Sequence, residues 1–135
     1  MMIFKIIWNK SAETDLNEII DYIIDNEGIN TAFDIFTKIK NKSELLANNP
    51  ELGRIVPELK MFTNKYRELI IKPWRIVYRT EENTVKILLI IDGRRNTEDL
   101  LYEKLLKFNW YENLKFPYFM FELRTEPILQ PQKAY

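Results

Sequence analysis

The chain has 135 residues, zero formal net charge, 46% hydrophobic residues, no cysteine and no histidine. A chain of this length buries one core without disulfide or metal staples. The two missing residue types exclude thiol chemistry and a zinc-type centre, and remove the usual acid–base side chain near neutral pH, so neither cofactor nor metal is expected.

The N-terminal run MMIFKIIW has one lysine and is too short for the layout of a signal peptide. No stretch reaches the roughly 20 apolar residues of a membrane span. A soluble, cytoplasmic protein with no membrane partner is expected. Residues 3–8 predict a short strand. Ser11 is expected to cap a first helix, with Glu13 and Asp15 in its first turn, where negative charge suits the helix dipole. Ala12, Leu16, Ile19, Ile20, Ile23 and Ile24 fall at helical spacing, and Asn26-Glu27-Gly28 ends the run. A second helix is predicted over about 30–47, with Ala32, Phe36, Ile39, Ser43 and Leu46 on one face and Asn48-Asn49-Pro50 after it. Two such helices with a short link make an antiparallel hairpin.

After Pro50 the pattern changes to strands over 66–72, 74–79 and 84–91, rich in β-branched and aromatic residues. Pro73 and Glu81-Glu82-Asn83 supply turns, which predicts an antiparallel meander. The expected fold is α+β: an N-terminal strand and an α-helical hairpin packed on a small, mainly antiparallel sheet. Thr97 opens a further helix with Leu100, Leu101, Leu105 and Phe108 as its buried side. Residues 1–108 read as one domain and 109–135 as an aromatic-rich C-terminal extension, which is expected to pack on its own domain, a second copy (a homodimer) or a partner. Seven of the 18 aromatic residues lie between Phe108 and Phe121.

Zero net charge conceals an asymmetry. Residues 1–52 hold five basic and nine acidic side chains, 53–96 hold ten and five, and 97–135 hold five and six. The basic middle ends in Asp92-Gly93-Arg94-Arg95. Arg54, Arg67, Arg75 and Arg79 belong to the same third, and in a meander Arg67, Arg75 and the end of the last strand are expected to converge on one surface. One strand arginine alone reads as a snorkelling or edge-protecting charge. Several together favour binding of phosphate or carboxylate, because the planar fork donates paired hydrogen bonds.

Four stretches in order, SAETDLNEIIDYI, NNPELGRIVPEL, KYRELIIKPWRIVYR and VKILLIIDGRRN, resemble the RelE/ParE superfamily of toxins from type II toxin–antitoxin modules. The match covers about residues 5–101, and its wording is nearer the ParE-like branch. The resemblance implies a compact toxin that arrests growth until a cognate antitoxin neutralises it. It also implies one of two targets: DNA gyrase for the ParE-like branch, or mRNA in the ribosomal A site for the RelE-like branch, which is a metal-independent endoribonuclease. Some relatives are inactive.

For the ribonuclease branch, the resemblance places Glu58 where certain members carry a catalytic glutamate and Arg75 on their strand arginine. Arg95 falls near the position of their general acid. An arginine is a poor proton donor but a good phosphate clamp; Tyr66 and Lys60 are the remaining candidates for that acid. Arg54, Arg67, Arg79 and Arg94 are the candidates for contact with a target or a phosphate. An ion pair with Arg54, or a loop cap, is the competing role for Glu58. Asp92 stands where many relatives have histidine, beside the arginines it partly neutralises or positions.

Overall fold

The computed structural model describes residues 3–106. Among the described residues, a boundary between two units falls after Glu98. The expected boundary at 108, Phe108, the extension 109–135 and a homodimer through it lie outside the described residues.

The elements run β1 (Lys5–Trp8), α1 (Lys10–Glu27), α2 (Ile29–Glu44), a 3-10 turn (Leu45–Ala47), β2 (Arg54–Ile55), a second 3-10 turn (Pro57–Leu59), β3 (Tyr66–Ile71), β4 (Trp74–Glu81), β5 (Thr84–Asp92) and α3 (Thr97–Leu101), which continues as a π-helical turn (Tyr102–Leu106). The expected helical hairpin and meander are both present. The sheet order is β1-β5-β4-β3-β2, antiparallel except for the parallel pair of β1 with β5. Two residues, too few to give a sequence pattern, form the unpredicted edge strand β2.

Asn9, not Ser11, caps α1: its side chain accepts from the Ala12 N–H at 2.8 Å. Asparagine caps as well as serine, and the helix starts early enough that Ser11 falls inside its first turn. Gly28 ends α1 at φ 98° and takes its N–H back to Ile23 and Ile24, a backbone conformation that costs glycine little.

One face of the sheet packs on the hairpin. Ala12, Ile39 and Leu46 meet Leu69, Ile71, Ile76, Tyr78, Val85, Ile87 and Ile90 in a common cluster, with Leu16, Ile19 and Ile35 against it. A bulge decides which β5 residues take part. Val77 pairs with Leu89 and Tyr78 with Ile87, so Leu88 is the extra residue. Ile87 and Ile90 thereby share the helix-facing side, although strict alternation would separate them. Beyond the end of β1, the Ile90 N–H donates to Asp15 of α1 at 2.9 Å. Phe36, expected on the buried stripe of α2, is instead only partly covered, at 39% exposure.

The opposite face carries Tyr66, Glu68, Arg75, Val77 and Leu89, all buried. Here the expected convergence of Arg67 with Arg75 fails. Arg67 faces Tyr78, and Arg75 faces Ile70. The two-residue turn between β3 and β4 sets odd-numbered residues of one strand opposite even-numbered residues of the other. Two odd-numbered arginines therefore take opposite faces.

Candidate functional site

Glu68 is the centre of an ion-pair network on the face away from the hairpin. Its side chain is 0% exposed, and each of its oxygens accepts from a different arginine. Arg75 Nε donates to Oε1 and Arg54 Nε to Oε2, both at 2.7 Å. Strand pairing supplies the geometry: Arg54 sits opposite Glu68 on β2, and Arg75 lies on the same face of β4.

The terminal nitrogens of Arg75 hold Glu58, carried by the 3-10 turn Pro57–Leu59. Nη1 donates to Oε2 and Nη2 to Oε1, each at 2.7 Å, an end-on fork. Thr97, at the start of α3, donates its hydroxyl to Glu58 Oε2 at 2.7 Å. The partner of Glu58 is thus Arg75, and Arg54 serves Glu68. Hydrogen bonding from Arg75 holds the Glu58 carboxyl well below its ordinary value, at about 2, against the opposing effect of burial, and Thr97 lowers it further. Arg75 is pushed up, chiefly by Glu58, with Glu68 helping against burial.

A carboxylate this acidic is a weak base for a ribose hydroxyl, since catalytic efficiency follows basicity. Of the two further candidates for a general acid, Tyr66 is buried and Lys60 exposed.

The Asp92–Asn96 turn abuts the network. The Gly93 N–H donates to the Pro73 carbonyl at 2.7 Å. A Cβ on Gly93 would lie 3.0 Å from that oxygen and 3.3 Å from Arg75 Cδ, a tight fit that a larger residue could occupy only if these neighbours shift by a few tenths of an ångström. Arg94 folds onto Asp92 through Nε at 2.9 Å and Nη2 at 2.8 Å. Asp92 is held down to about 2, first by the Arg94 side chain and then by the Arg94 N–H. The acid at this position does partly neutralise Arg94. The exposed Arg95 guanidinium has no hydrogen-bond or ion-pair partner among the described residues.

The remaining candidates lie elsewhere. Arg67, on the hairpin-facing side of the sheet, donates through Nη1 to the Gly53 carbonyl at 2.7 Å. The Gly53 N–H donates to Tyr78 Oη at 2.9 Å, and Tyr78 donates to the Pro50 carbonyl at 2.7 Å. These bonds pin the loop before β2. Arg79 shares the Arg75 face but lies four residues along β4, about 13 Å away, and pairs with Glu81, which also takes Lys86.

The fold therefore brings together Glu58, Arg75 and Arg54 and sets the Arg94–Arg95 turn beside them. It leaves Arg67 and Arg79 out. Glu68 and Thr97 were not singled out in the sequence. The signal for Glu68 was a carboxylate alternating with Tyr66 and Ile70 on one strand face, which demands a cation on a neighbouring strand. For Thr97 there was none beyond a helix start.

Residues 6–97 match the family model described as the ParE toxin of type II toxin–antitoxin systems, parDE. Toxin ParE3 of Caulobacter vibrioides is 29% identical over 100 residues, covering 74% of this chain and 97% of that protein. Among solved structures, a chain of the chromosomal ParDE system of P. aeruginosa superposes with a TM-score of 0.57 at 21% identity, over 67% of this chain and 96% of that one. No helix among the described residues is long and apolar enough to cross a membrane.

Proposed function

The chain belongs to the ParE toxin family of type II toxin–antitoxin systems, and from that premise we propose that it arrests growth by binding an essential, anionic target such as DNA gyrase rather than by cutting RNA. The observation that carries this reading is the Glu58–Arg75 fork. The residue best placed for a general base has both oxygens committed to a guanidinium and a carboxyl value of about 2. The arginine that a phosphorane would need is in turn committed to two carboxylates. What remains outward is cationic. Arg54, its side chain 59% exposed, uses only Nε on Glu68, and Arg95 is exposed on its turn. These are groups for contacting carboxylates or phosphates without chemistry. Likeness to ParE toxins, one of them solved as a ParDE system, supports a cognate antitoxin as the neutralising partner.

The test is induction of the chain in a bacterial host, with transcript 5′ ends mapped within minutes. The expected result is growth arrest with intact mRNA and an SOS response. Codon-phased cuts confined to translated mRNA would replace this reading with a ribosome-dependent endoribonuclease. Absence of arrest would leave an inactive interaction module.

A further inference from the structure

The turn that displays Arg95 is tied down at both ends. At one end Gly93 donates to Pro73 and lies against the stem of Arg75. At the other, two residues past Arg95, Thr97 donates to Glu58, the partner of that same Arg75. Between them the Arg95 N–H closes the turn onto the Asp92 carbonyl at 3.0 Å, and the Arg94 guanidinium is folded back on Asp92. The outward group on this otherwise anchored segment is the Arg95 guanidinium.

We propose that Thr97 is a positioning residue: by donating to Glu58 it locks the Gly93–Asn96 turn to the Arg75 network and fixes where the Arg95 guanidinium meets an anionic partner. The proposal rests on the reading of the chain as a binding toxin. In it, Glu58 and Arg75 hold the turn, and their mutual neutralisation is what makes them a rigid anchor. A hydroxyl-to-carboxylate bond is charge-assisted and stronger than a neutral one. Holding the backbone from which a guanidinium projects removes part of the ordering cost that association otherwise meets.

The first test uses the purified full-length protein and limited trypsin digestion under native conditions, with cuts located by mass spectrometry. Trypsin cleaves after arginine and lysine, so cutting after Arg94 and Arg95 reports opening of this turn, and cutting after the exposed Lys40 reports local opening of α2, away from it. Thr97→Val is expected to be cut roughly tenfold faster after Arg94 and Arg95, the effect of losing one hydrogen bond to an ionised group. Its Lys40 rate should be unchanged, and Thr97→Ser should restore the slow rate. Wild-type cutting of Thr97→Val at the turn, or equal acceleration at every site, overturns the proposal. The second test is growth arrest at matched protein levels. Thr97→Val should weaken arrest, yet add nothing to Arg95→Ala, because both act through one guanidinium. Full additivity overturns the proposal. Arrest by Arg95→Ala at wild-type levels instead defeats the role of Arg95 in the binding reading, while the digestion still decides whether Thr97 holds the turn.

Discussion

Arg75 and Glu68 form a bond of 2.7 Å between Nε and Oε1 across adjacent strands, with the arginine side chain 9% exposed and the carboxylate wholly buried. A charge in that position is tolerated only while its partner remains. Arg75→Ala strands Glu68 beside Arg54 alone and frees Glu58. Loss of about 3–5 kcal/mol in unfolding free energy by urea titration is expected, the cost of leaving a buried charge uncompensated. Arg75→Lys should recover only a minority of it, because a single ammonium cannot serve the Nε bond and the fork together.

The fork also sets a pH dependence. Glu58 is lowered on folding from its ordinary 4.5 to about 2. A depressed folded value means that the unfolded chain binds the proton more readily. The stabilisation is therefore complete above about 4.5 and is lost as pH falls toward 2. Asp92 acts in the same direction and also reaches about 2. Unfolding free energy should fall through this window, and Glu58→Gln should flatten the decline, leaving the part due to Asp92.

Gly53 marks the closest backbone approach. A Cβ there would stand 2.5 Å from the Glu68 carbonyl oxygen and 2.8 Å from Tyr78 Oη. Neither neighbour can yield, one being strand backbone and the other a buried ring fixed by its own bonds. Gly53→Ala is expected to cost at least about 3 kcal/mol, at the upper end of the range for single substitutions, in a denaturant titration.

Tyr78→Phe tests the same loop from the other side. It removes the oxygen that accepts from the Gly53 N–H and donates to the Pro50 carbonyl. Two backbone groups lose their partner, which is expected to cost about 1–3 kcal/mol. Hydrogen exchange at Gly53 should rise with it.

Asp92→Asn bears on function. It removes the carboxylate that engages Arg94 through two nitrogens and adds one unit of positive charge to the turn. If the target is anionic, growth arrest should need a few-fold less protein, in keeping with the modest energy of an exposed pair. Weaker arrest at matched protein levels would count against electrostatic contact at this turn.

Much of this was legible in the chain itself. Helical and alternating periodicities depend only on which residues are apolar, so the hairpin, the meander and the α+β class followed from the sequence, as did the superfamily through four ordered motifs. Partnership was another matter. Whether Arg67 joins Arg75 depends on strand register. Whether Ile87 and Ile90 share a face depends on one bulge. Whether Glu58 meets Arg54 or Arg75 depends on where the Pro57–Leu59 turn crosses the sheet. Each is fixed by pairing between residues distant in sequence, where a shift of one position reverses a side chain's face. The sequence determined which charges the middle third carries; only the tertiary structure decided which of them neutralise one another and that Arg95 remains turned outward.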